Sequence, residues 1–407
     1  MHSRSCLLAF LLGMAALLLV ACGTRPEEAG QERAGAAAQG QGAGRWIVVF
    51  DKQFANEPAQ AALLEAFGGQ PLKHLRLVNG AVVLLPPTAR AQLAARPEVR
   101  SVEPDATVCA LKGKPPHAGG KPKPSQPAQT LPWGVDRIDA EFAWSAGYTG
   151  AGVDVAVVDT GIDKDHPDLA ANIAGGVNFV AKSPRKPPDA DKWDDDNGHG
   201  TYVAGIIAAQ NNDIGVVGVA PEARLWAVKV LDRSGSGYVS DVIDALGWCA
   251  DTGVEIANMS LGTDSDVEAL CEACAAARAA GVLLVAAAGN DGAEVDYPAA
   301  YDSVIAVAAT DMGDARPSWS SFGPEVFLAA PGADIRSTWR RGGYATESGT
   351  SAATPHVAGT LALNLAADLA ATADDVPPSG WDAYTGWGVV DAEEAATGQQ
   401  TGDDLGQ

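Results

Sequence analysis

The sequence predicts an α/β fold, in which a mostly parallel sheet with helices on both faces follows a small α+β domain. From about Ala128 to Gly398, apolar strands alternate with helical stretches, a pattern typical of a parallel sheet covered on both faces. Residues 45–108 carry a shorter strand and helix pattern of their own. Hydrophobic residues make up 47% of the 407 positions, and 46 Gly and 25 Pro supply turns, so the composition is that of a globular protein with a sizeable core.

The first 21 residues read as a signal peptide. A basic residue near the start, Arg4, is followed by the apolar run LLAFLLGMAALLLVA, which ends in small residues. This run is shorter than the ~20 apolar residues of a membrane span. Residues 19–22 (LVAC) also resemble the lipobox of bacterial lipoproteins, which makes Cys22 the expected lipidation site; an ordinary signal peptide that ends near a cysteine is the alternative. We therefore expect an exported protein, extracellular or in the cell envelope, whose precursor is tethered by a lipid.

A linker and a small domain come next. Residues 22–44 are Ala, Gly, Gln and Glu with almost no bulky side chains, which predicts a flexible linker. Residues 45–108, which we call the leader, then alternate strands and helices. The strands are expected at 45–50, 80–85 and 99–104, and the helices at 59–67 and 88–95.

Residues 109–127 (CALKGKPPHAGGKPKPSQP) are rich in Lys, Pro and Gly. This composition keeps a chain extended and exposed, which suits a proteolytic cut between two folded units. We expect the cut between residues 105 and 128, and the sequence does not reveal the bond. Residues 128–398 form the predicted main domain, and 399–407 a tail.

The main domain contains six predicted strands and four predicted long helices. The strands are expected at 153–159, 224–231, 254–260, 282–288, 304–309 and 326–330. The helices are expected at 199–210, 239–250, 267–280 and 350–371. Sheets of this kind carry their active sites beyond the carboxyl ends of the strands.

The net charge of −23 is unevenly distributed. Before Ala128 there are 14 Lys and Arg against 9 Asp and Glu, whereas the rest of the chain has 14 against 42. An acidic main domain repels phosphate backbones, which argues against nucleic acid as a partner. The charge suits solubility outside a cell, or the docking of a basic leader on an acidic body.

Six cysteines are present, two of them in or next to the signal peptide. Cys271 and Cys274 form a C-x-x-C pair without the His motif of a zinc site. In an exported protein we expect one disulfide from Cys249 to Cys271 or Cys274, and the sequence leaves the partner open. Cys109 is the remaining cysteine.

Three polar residues stand where such a sheet exposes reactive groups. Asp159 follows the apolar strand 153–158. His199 opens a helix in DNGHGTYVAG, where the flanking glycines leave room for close backbone approach. Ser351 lies in SGTSAATPHVAG, whose Gly-Thr turn places it in the first turn of a helix. The free backbone N–H groups of that turn can stabilise an oxyanion.

Elimination supports His199 as the general base. The other five histidines lie in the signal peptide, the leader, the linker, a loop and the helix after Ser351: His2, His74, His117, His166 and His356. His356 is five residues past Ser351 and points away from it on a helix. We expect it to be a packed, hydrogen-bonded helix residue. Asn290, beyond the strand 282–288, is placed to supply a second oxyanion donor.

These segments together resemble the subtilisin-like serine proteases of the subtilase family. The chain order Asp, His, Ser is that family's order. Its signatures match residues 157–162 (VVDTGI), 197–201 (NGHGT), 288–290 (AGN) and 349–359 (GTSAATPHVAG), across roughly 270 residues. Two positions depart from the pattern: Ala352 stands where Met is usual, and Tyr202 where His is common. Neither supplies a triad atom.

The resemblance implies a serine endopeptidase with Asp159, His199 and Ser351 as its catalytic triad and Asn290 in its oxyanion hole. It also implies a binding site for polypeptide substrates. The expected substrate-binding residues are Ser236, Gly237, Ser260, Leu261, Gly262, Ala287 and Gly289. Because these walls are small and carry no Asp or Arg, we expect broad specificity with an apolar or aromatic preference.

A structural calcium site is also implied by the resemblance. Its expected ligands are the side chains of Gln129, Asp168 and Asn212 and the carbonyls of Gln210, Ile214 and Val216. Such an oxygen cage suits Ca²⁺. The acidic run 189–196 is expected to be a solvated loop.

The leader resembles the ferredoxin-like inhibitory propeptide of the family, including its VRSVEPD ending at residues 99–105. It is therefore expected to assist folding and to block the cleft of a monomeric enzyme until it is cut, which would release the enzyme from its lipid. Two alternatives remain open. One is a catalytically inactive, peptide-binding member of the same fold, and the other is a surface lipoprotein with a structural or adhesive role.

Overall fold

The computed structural model describes residues 43–111, 126–183 and 186–399. The predicted signal peptide, Cys22 and the flexible linker up to residue 42 lie outside the described residues, as do residues 112–125 and the tail from residue 400. No helix in the described part of the chain is long and apolar enough to cross a membrane.

The leader begins the described structure. Its elements are β1 (Gly44–Phe50), α1 (Glu57–Ala66), β2 (Gln70–Leu75), a 3-10 turn (Arg76–Val78), β3 (Gly80–Leu85), α2 (Ala89–Ala94), β4 (Val99–Pro104) and β5 (Thr107–Ala110). The first four strands form an antiparallel sheet in the order β2-β3-β1-β4. This βαββαβ arrangement is the ferredoxin-like pattern. β2 was not predicted, and β5 continues past residue 108, where we expected the leader to end.

The main domain follows. Its elements are α3 (Trp133–Arg137), α4 (Ala140–Ser145), β6 (Asp154–Asp159), β7 (Ile173–Asn178), α5 (His199–Ala208), β8 (Arg224–Lys229), β9 (Ser236–Tyr238), α6 (Val239–Thr252), β10 (Ile256–Met259), β11 (Leu261–Gly262), α7 (Glu268–Ala279), β12 (Leu283–Ala287), β13 (Ile305–Thr310), β14 (Val326–Pro331), β15 (Ile335–Trp339), β16 (Gly343–Glu347), α8 (Thr350–Leu363) and α9 (Ala392–Thr397).

Seven parallel strands form the central sheet, in the order β14-β13-β12-β10-β6-β8-β7. Along β6, Val155 and Val157 pack into a core shared with α5 and α8. Ala156 and Val158 point the other way, into a core shared with α6 and α7. Both faces are therefore covered, which confirms the predicted fold class. The strand order reverses around β6, so a crevice opens at the carboxyl ends of β6 and its neighbours.

The leader's sheet is buried on both of its faces. Val48 and Phe50 of β1 pack under the leader's own helices. Their neighbours Ile47 and Val49 instead join the core of α6 and α7 in the main domain. β5 completes the contact because it pairs antiparallel with β9 on one side and with β11 on the other. The leader and main domain are thus joined by an apolar face and by a shared three-stranded sheet.

The six predicted strands of the main domain are present to within two residues at each end. The last predicted helix, expected to reach Ala371, ends at Leu363, because Asn364 adopts an extended backbone and its side chain donates to the Ala395 carbonyl. β7 and the β15–β16 hairpin were not predicted. β7 (IAGGVN) is an edge strand with two glycines, which gives a weak strand signal.

The expected disulfide from Cys249 is wrong. Cys249 on α6 and Cys274 on α7 are free thiols that pack in the same apolar core, and Cys109 is an exposed free thiol. Burial raises the pKa of Cys249 to about 12 and also raises the pKa of Cys274. A cysteine in such a place behaves as a small apolar side chain.

Candidate active site

Asp159 and His199 meet at the carboxyl end of the sheet. Asp159 is the last residue of β6, and His199 is the first residue of α5. His199 Nδ1 lies 2.9 Å from Asp159 Oδ1 and 2.8 Å from Oδ2, and both side chains are fully buried. Gly200 permits this approach, because a Cβ there would lie 2.1 Å from the Gly161 carbonyl oxygen. The carboxylate thereby fixes the orientation of the imidazole.

Asp195, which sequence reasoning missed, holds the turn before His199. Its Oδ1 accepts hydrogen bonds from the backbone N–H groups of Asn197 and Gly198 and from the Thr160 hydroxyl. Its Oδ2 accepts from the backbone N–H and the hydroxyl of Thr201. Burial raises the pKa of this carboxyl, and the hydrogen bonds oppose that rise. The buried acid thus ties the start of α5 to the residue that follows Asp159.

Ser351 converges with Asn290 and the end of the leader. The position that a Cβ would take at Gly349 lies 3.0 Å from Ser351 Oγ, 3.0 Å from Asn290 Nδ2 and 2.9 Å from the Leu111 carbonyl oxygen. Asn290 Nδ2 donates to that carbonyl at 2.6 Å. The predicted nucleophile and the predicted oxyanion donor therefore flank one backbone carbonyl.

Thr350 sets the orientation of the Asn290 amide. Asn290 Oδ1 accepts from the backbone N–H of Thr350 at 2.8 Å and from its hydroxyl at 2.9 Å. With the amide oxygen occupied, the NH₂ group faces the Leu111 carbonyl. Thr350 Oγ1 also accepts from the backbone N–H of Gly289 at 3.2 Å, which links the chain just beyond β12 to the start of α8.

His199 and His356 have different surroundings. His199 Nε2 is buried and has no hydrogen-bond partner among the described residues, so this nitrogen is available to take up a proton. His356 is fully buried, its Nδ1 lies 2.8 Å from the Ala352 carbonyl, and burial lowers its pKa to about 4. The prediction that His356 is a packed helix residue is confirmed.

The expected substrate-binding residues line the path of the leader's last strand. Cys109 pairs with Ser236 of β9 on one side and with Gly262 of β11 on the other, and Val108 pairs with Gly237. The backbone N–H of Leu111 donates to the Ser260 carbonyl. Leu261 and Ala287 are buried in β11 and β12. An extended chain is thus bound by backbone pairing on both sides, the mode called β-augmentation.

The leucine side chain enters a recess between two wall segments. A Cβ at Gly262 would lie 3.0 Å from Leu111 Cδ1, so the glycine leaves space for the leucine. Gly289 and Ala287 belong to the second wall, at and just beyond the end of β12. An acidic side chain also lies beside these walls: Asp296, in the segment after β12, whose Oδ2 is 3.2 Å from a Cβ built at Gly262, was missed by sequence reasoning.

The residues of the expected calcium site lie together. Gln129 Oε1 accepts from the backbone N–H of Asn212, and Asn212 Nδ2 donates to Asp168 Oδ1. The residues with the expected carbonyl ligands, Gln210, Ile214 and Val216, lie on the same turn. The described residues contain no group of three or more His, Cys, Asp or Glu that could hold a metal. A cation here would rely on the Asp168 carboxylate together with amide and carbonyl oxygens, which fits the hard cation Ca²⁺.

The two departures from the family pattern are accommodated in the core. The Tyr202 side chain is fully buried, and its hydroxyl donates to the Ile335 carbonyl at 2.8 Å. Burial raises the pKa of that hydroxyl. Ala352 is buried next to Ser351 in the core below α8. Neither side chain competes for the triad atoms.

Comparison with known proteins gives consistent matches. The sequence profile of the subtilase family matches residues 150–378. Subtilisin Savinase of Lederbergia lenta is 50% identical over 237 residues, which are 58% of this chain and 84% of that protein. An alkaline protease of Alkalihalobacillus alcalophilus is also 50% identical over 237 residues, 58% of this chain and 60% of that protein. Subtilisin NAT of Bacillus subtilis subsp. natto is 43% identical over 303 residues, 73% of each chain.

Proposed function

Because the chain belongs to the subtilase family of serine endopeptidases, we propose that it cleaves polypeptides through an acyl-enzyme with Asp159, His199 and Ser351 as its triad. The observation that carries this proposal is the Leu111 carbonyl, which Asn290 holds beside Ser351. A backbone carbonyl between a hydroxyl and an amide donor is in the position of a scissile peptide group.

The proposed reaction gives each of these residues one role. His199 Nε2 takes the hydroxyl proton of Ser351 as Oγ bonds to the carbonyl carbon. The resulting oxyanion is stabilised by Asn290 Nδ2 and by the Ser351 backbone N–H in the first turn of α8. His199 then donates the proton to the leaving amine as the C–N bond breaks, and water removes the acyl group by the same steps. Asp159 holds the imidazole and stabilises its charged form.

The leader is proposed to be an inhibitory propeptide that is cut from the main domain. Its last strand occupies the substrate path, and its face of Ile47 and Val49 packs on α6 and α7. Leu111 is the residue whose carbonyl lies at the site. The scissile bond of maturation is therefore proposed to be Leu111–Lys112, within the range 105–128 expected from the sequence.

The substrates are proposed to be polypeptides of many sequences. Antiparallel pairing with β9 and β11 contacts the substrate backbone, which all peptides share. The wall residues Ser260, Gly262, Ala287 and Gly289 are small and accept an apolar side chain such as that of Leu111. Taken alone, these walls favour apolar or aromatic residues before the scissile bond.

Export, tethering and calcium complete the proposal. The signal sequence and Cys22 support an exported precursor with a lipid anchor, and a cut after Leu111 would free the monomeric main domain from it. Ca²⁺ would be held by Gln129, Asp168, Asn212 and the neighbouring carbonyls, where it would tie residues near 129 to the turn after α5. It would take no part in the reaction.

Fluorophosphonate labelling tests the proposed function. The probe should attach to Ser351 of the processed wild-type enzyme, and peptide hydrolysis should stop in proportion to labelling. Ser348→Ala, a change of the same type close by in the chain, should still be labelled. Failure of the processed wild type to react would favour the catalytically inactive alternative.

A further inference from the structure

The carboxylate of Asp296 lies beside the recess that receives Leu111. A Cβ placed at Gly262 would lie 3.0 Å from Leu111 Cδ1 and 3.2 Å from Asp296 Oδ2. The leucine methyl and the carboxylate oxygen therefore both lie within 3.2 Å of the same point. A Cβ at Gly289, on the opposite wall, would lie 2.9 Å from the same oxygen. Asp296 Oδ2 thus sits between the two walls, and glycine at both positions leaves it uncovered.

The backbone of Asp296 is fixed to the wall itself. Its N–H donates to the Ala288 carbonyl at 2.8 Å, and its own carbonyl accepts from the N–H of Ala300 at 3.0 Å. The residue therefore has a defined position relative to the end of β12. Because its backbone is held in this way, the residue presents its charge without a large ordering cost.

The charge of Asp296 has no cationic partner in the described part of the chain, where no Lys or Arg forms an ion pair with it. Its charged neighbours are acidic. Burial, and then repulsion from Asp291 and Asp264, raises the pKa of Asp296 to about 6. A partly buried carboxylate among like charges is stabilised when a cation approaches.

We propose that Asp296 is a specificity-determining residue, through which the enzyme cleaves after Lys or Arg in preference to Leu. This rests on the proposed function. The aliphatic stem of either residue can follow the path of Leu111 along the small walls. Beyond the δ carbon, the Lys or Arg side chain continues to an ammonium or guanidinium group. This group reaches the Asp296 carboxylate, whereas a leucine side chain is too short to do so. The apolar preference expected from the walls alone would then apply only to uncharged residues.

Paired peptide substrates test this inference. The peptides are identical except for Lys, Arg, Leu or Phe before the scissile bond, and kcat/KM is measured at pH 8 for the wild type and Asp296→Asn. The wild type should prefer Lys and Arg. Asp296→Asn should lower kcat/KM for Lys and Arg about 10- to 100-fold, because a charge-assisted hydrogen bond is lost. For Leu it should change less than about threefold.

Asp302→Asn is the matched control. Asp302 is exposed on the same stretch of chain, and its substitution changes the net charge by the same amount. It should leave all four rates within about twofold, since exposed charges are well screened. If Asp296→Asn alters Lys and Leu peptides by the same factor, or if the wild type does not favour Lys over Leu, the inference is wrong. Failure to cleave any of the peptides would instead contradict the proposed function.

The pH dependence of the preference supplies an independent readout. The ratio of kcat/KM for the Lys peptide to that for the Leu peptide cancels the protonation of His199, which affects both alike. Since Asp296 has a raised pKa of about 6, it is ionised at pH 8 and protonated at pH 5. The ratio should therefore fall between pH 8 and pH 5 in the wild type and stay flat in Asp296→Asn. A wild-type ratio independent of pH would overturn the inference.

Discussion

The chemistry of the site is set by side chains whose partners are distant in sequence. Asp159, His199, Asn290 and Ser351 could be predicted because each stands in its own short motif. Asp195 could not be singled out, since an acidic residue in an acidic loop gives no local signal. What distinguishes Asp195 is burial among five donors, which only the fold creates.

Asp195→Asn should destabilise the protein. An amide puts donors where the Thr160 and Thr201 hydroxyls and several backbone N–H groups already donate, so at least one buried hydrogen bond is lost. We expect a loss of about 1–3 kcal/mol in the free energy of unfolding, measured by urea denaturation of precursors that also carry Ser351→Ala. The exposed neighbour Asp194 provides the control, and Asp194→Asn should change this free energy by less than about 0.5 kcal/mol. Equal effects of both substitutions would argue against the role given to Asp195.

Thr350 is a positioning residue for Asn290. Thr350→Val removes the hydroxyl that holds the Asn290 amide, so kcat should fall about tenfold, a part of the 10²–10³ lost with the donor itself. KM should change little, because the loss is felt in the transition state. Thr350→Ser should restore kcat. Thr360→Val removes a buried hydroxyl farther along α8 and should leave kcat unchanged. If Thr350→Val changes KM but not kcat, Thr350 does not have this role.

At the scale of elements, the hydrophobic pattern of the sequence predicted which strands and helices are present better than it predicted where they end. Six strands of the central sheet and the four long helices of the main domain were identified because their apolar periodicity is strong. The end of α8 was not, because residues 365–371 are rich in Ala and Leu, and the stop depends on the Asn364 contact with Ala395. The leader's strand β5 was missed for a similar reason. Its pairing partners, β9 and β11, lie more than 120 residues away in sequence.

The leader caps two helices of the main domain. Glu103 accepts from the N–H groups of Glu268 and Ala269 at the start of α7, and Asp105 accepts from the N–H of Ser240 in the first turn of α6. Glu103→Ala should therefore speed dissociation of the cut leader about tenfold, as expected for the loss of a helix cap worth about 1 kcal/mol or slightly more.

The recovery of peptidase activity after dilution of the processed complex measures this dissociation. Glu98, a half-buried acid of the leader that pairs with Arg96 instead, supplies the control, and Glu98→Ala should not alter the rate. A Glu103→Ala complex that dissociates as slowly as the wild type would show that the caps contribute nothing to leader binding.

The turn after α5 is the element that calcium would stabilise. In the matured enzyme, removal of Ca²⁺ by a chelator should lower the melting temperature by several degrees, since a ligand that binds only the folded state stabilises it. Asp168→Asn should lower the melting temperature in Ca²⁺ and make it insensitive to the chelator. Asp165→Asn, in the same loop, should behave as the wild type. An unchanged melting temperature after chelation would contradict the calcium proposal.

At the scale of the whole molecule, charge and apolar surface join the leader to the main domain. Lys73 of the leader lies 2.6 Å from Asp241 and 2.7 Å from Asp244, both on α6. Arg76 and Arg100 pair with Asp251 and Glu272 of the main domain. The leader itself is close to neutral, with 7 Lys and Arg against 6 Asp and Glu in residues 45–108, so its docking depends on individual ion pairs with an acidic main domain and not on its net charge. The sequence could indicate the balance but not the individual partners, because these are set by the packed arrangement of β2, α6 and α7.

Mass spectrometry of the refolded precursor tests the central claim most directly. Precursors of the wild type, Ser351→Ala and Ser348→Ala are purified under denaturing conditions and refolded without any other protease. The wild type and Ser348→Ala should each yield a leader fragment that ends at Leu111 and a separate main chain, whereas Ser351→Ala should remain one intact chain. A Ser351→Ala precursor that is cut after Leu111, or a wild type that stays intact once folded, would contradict the account.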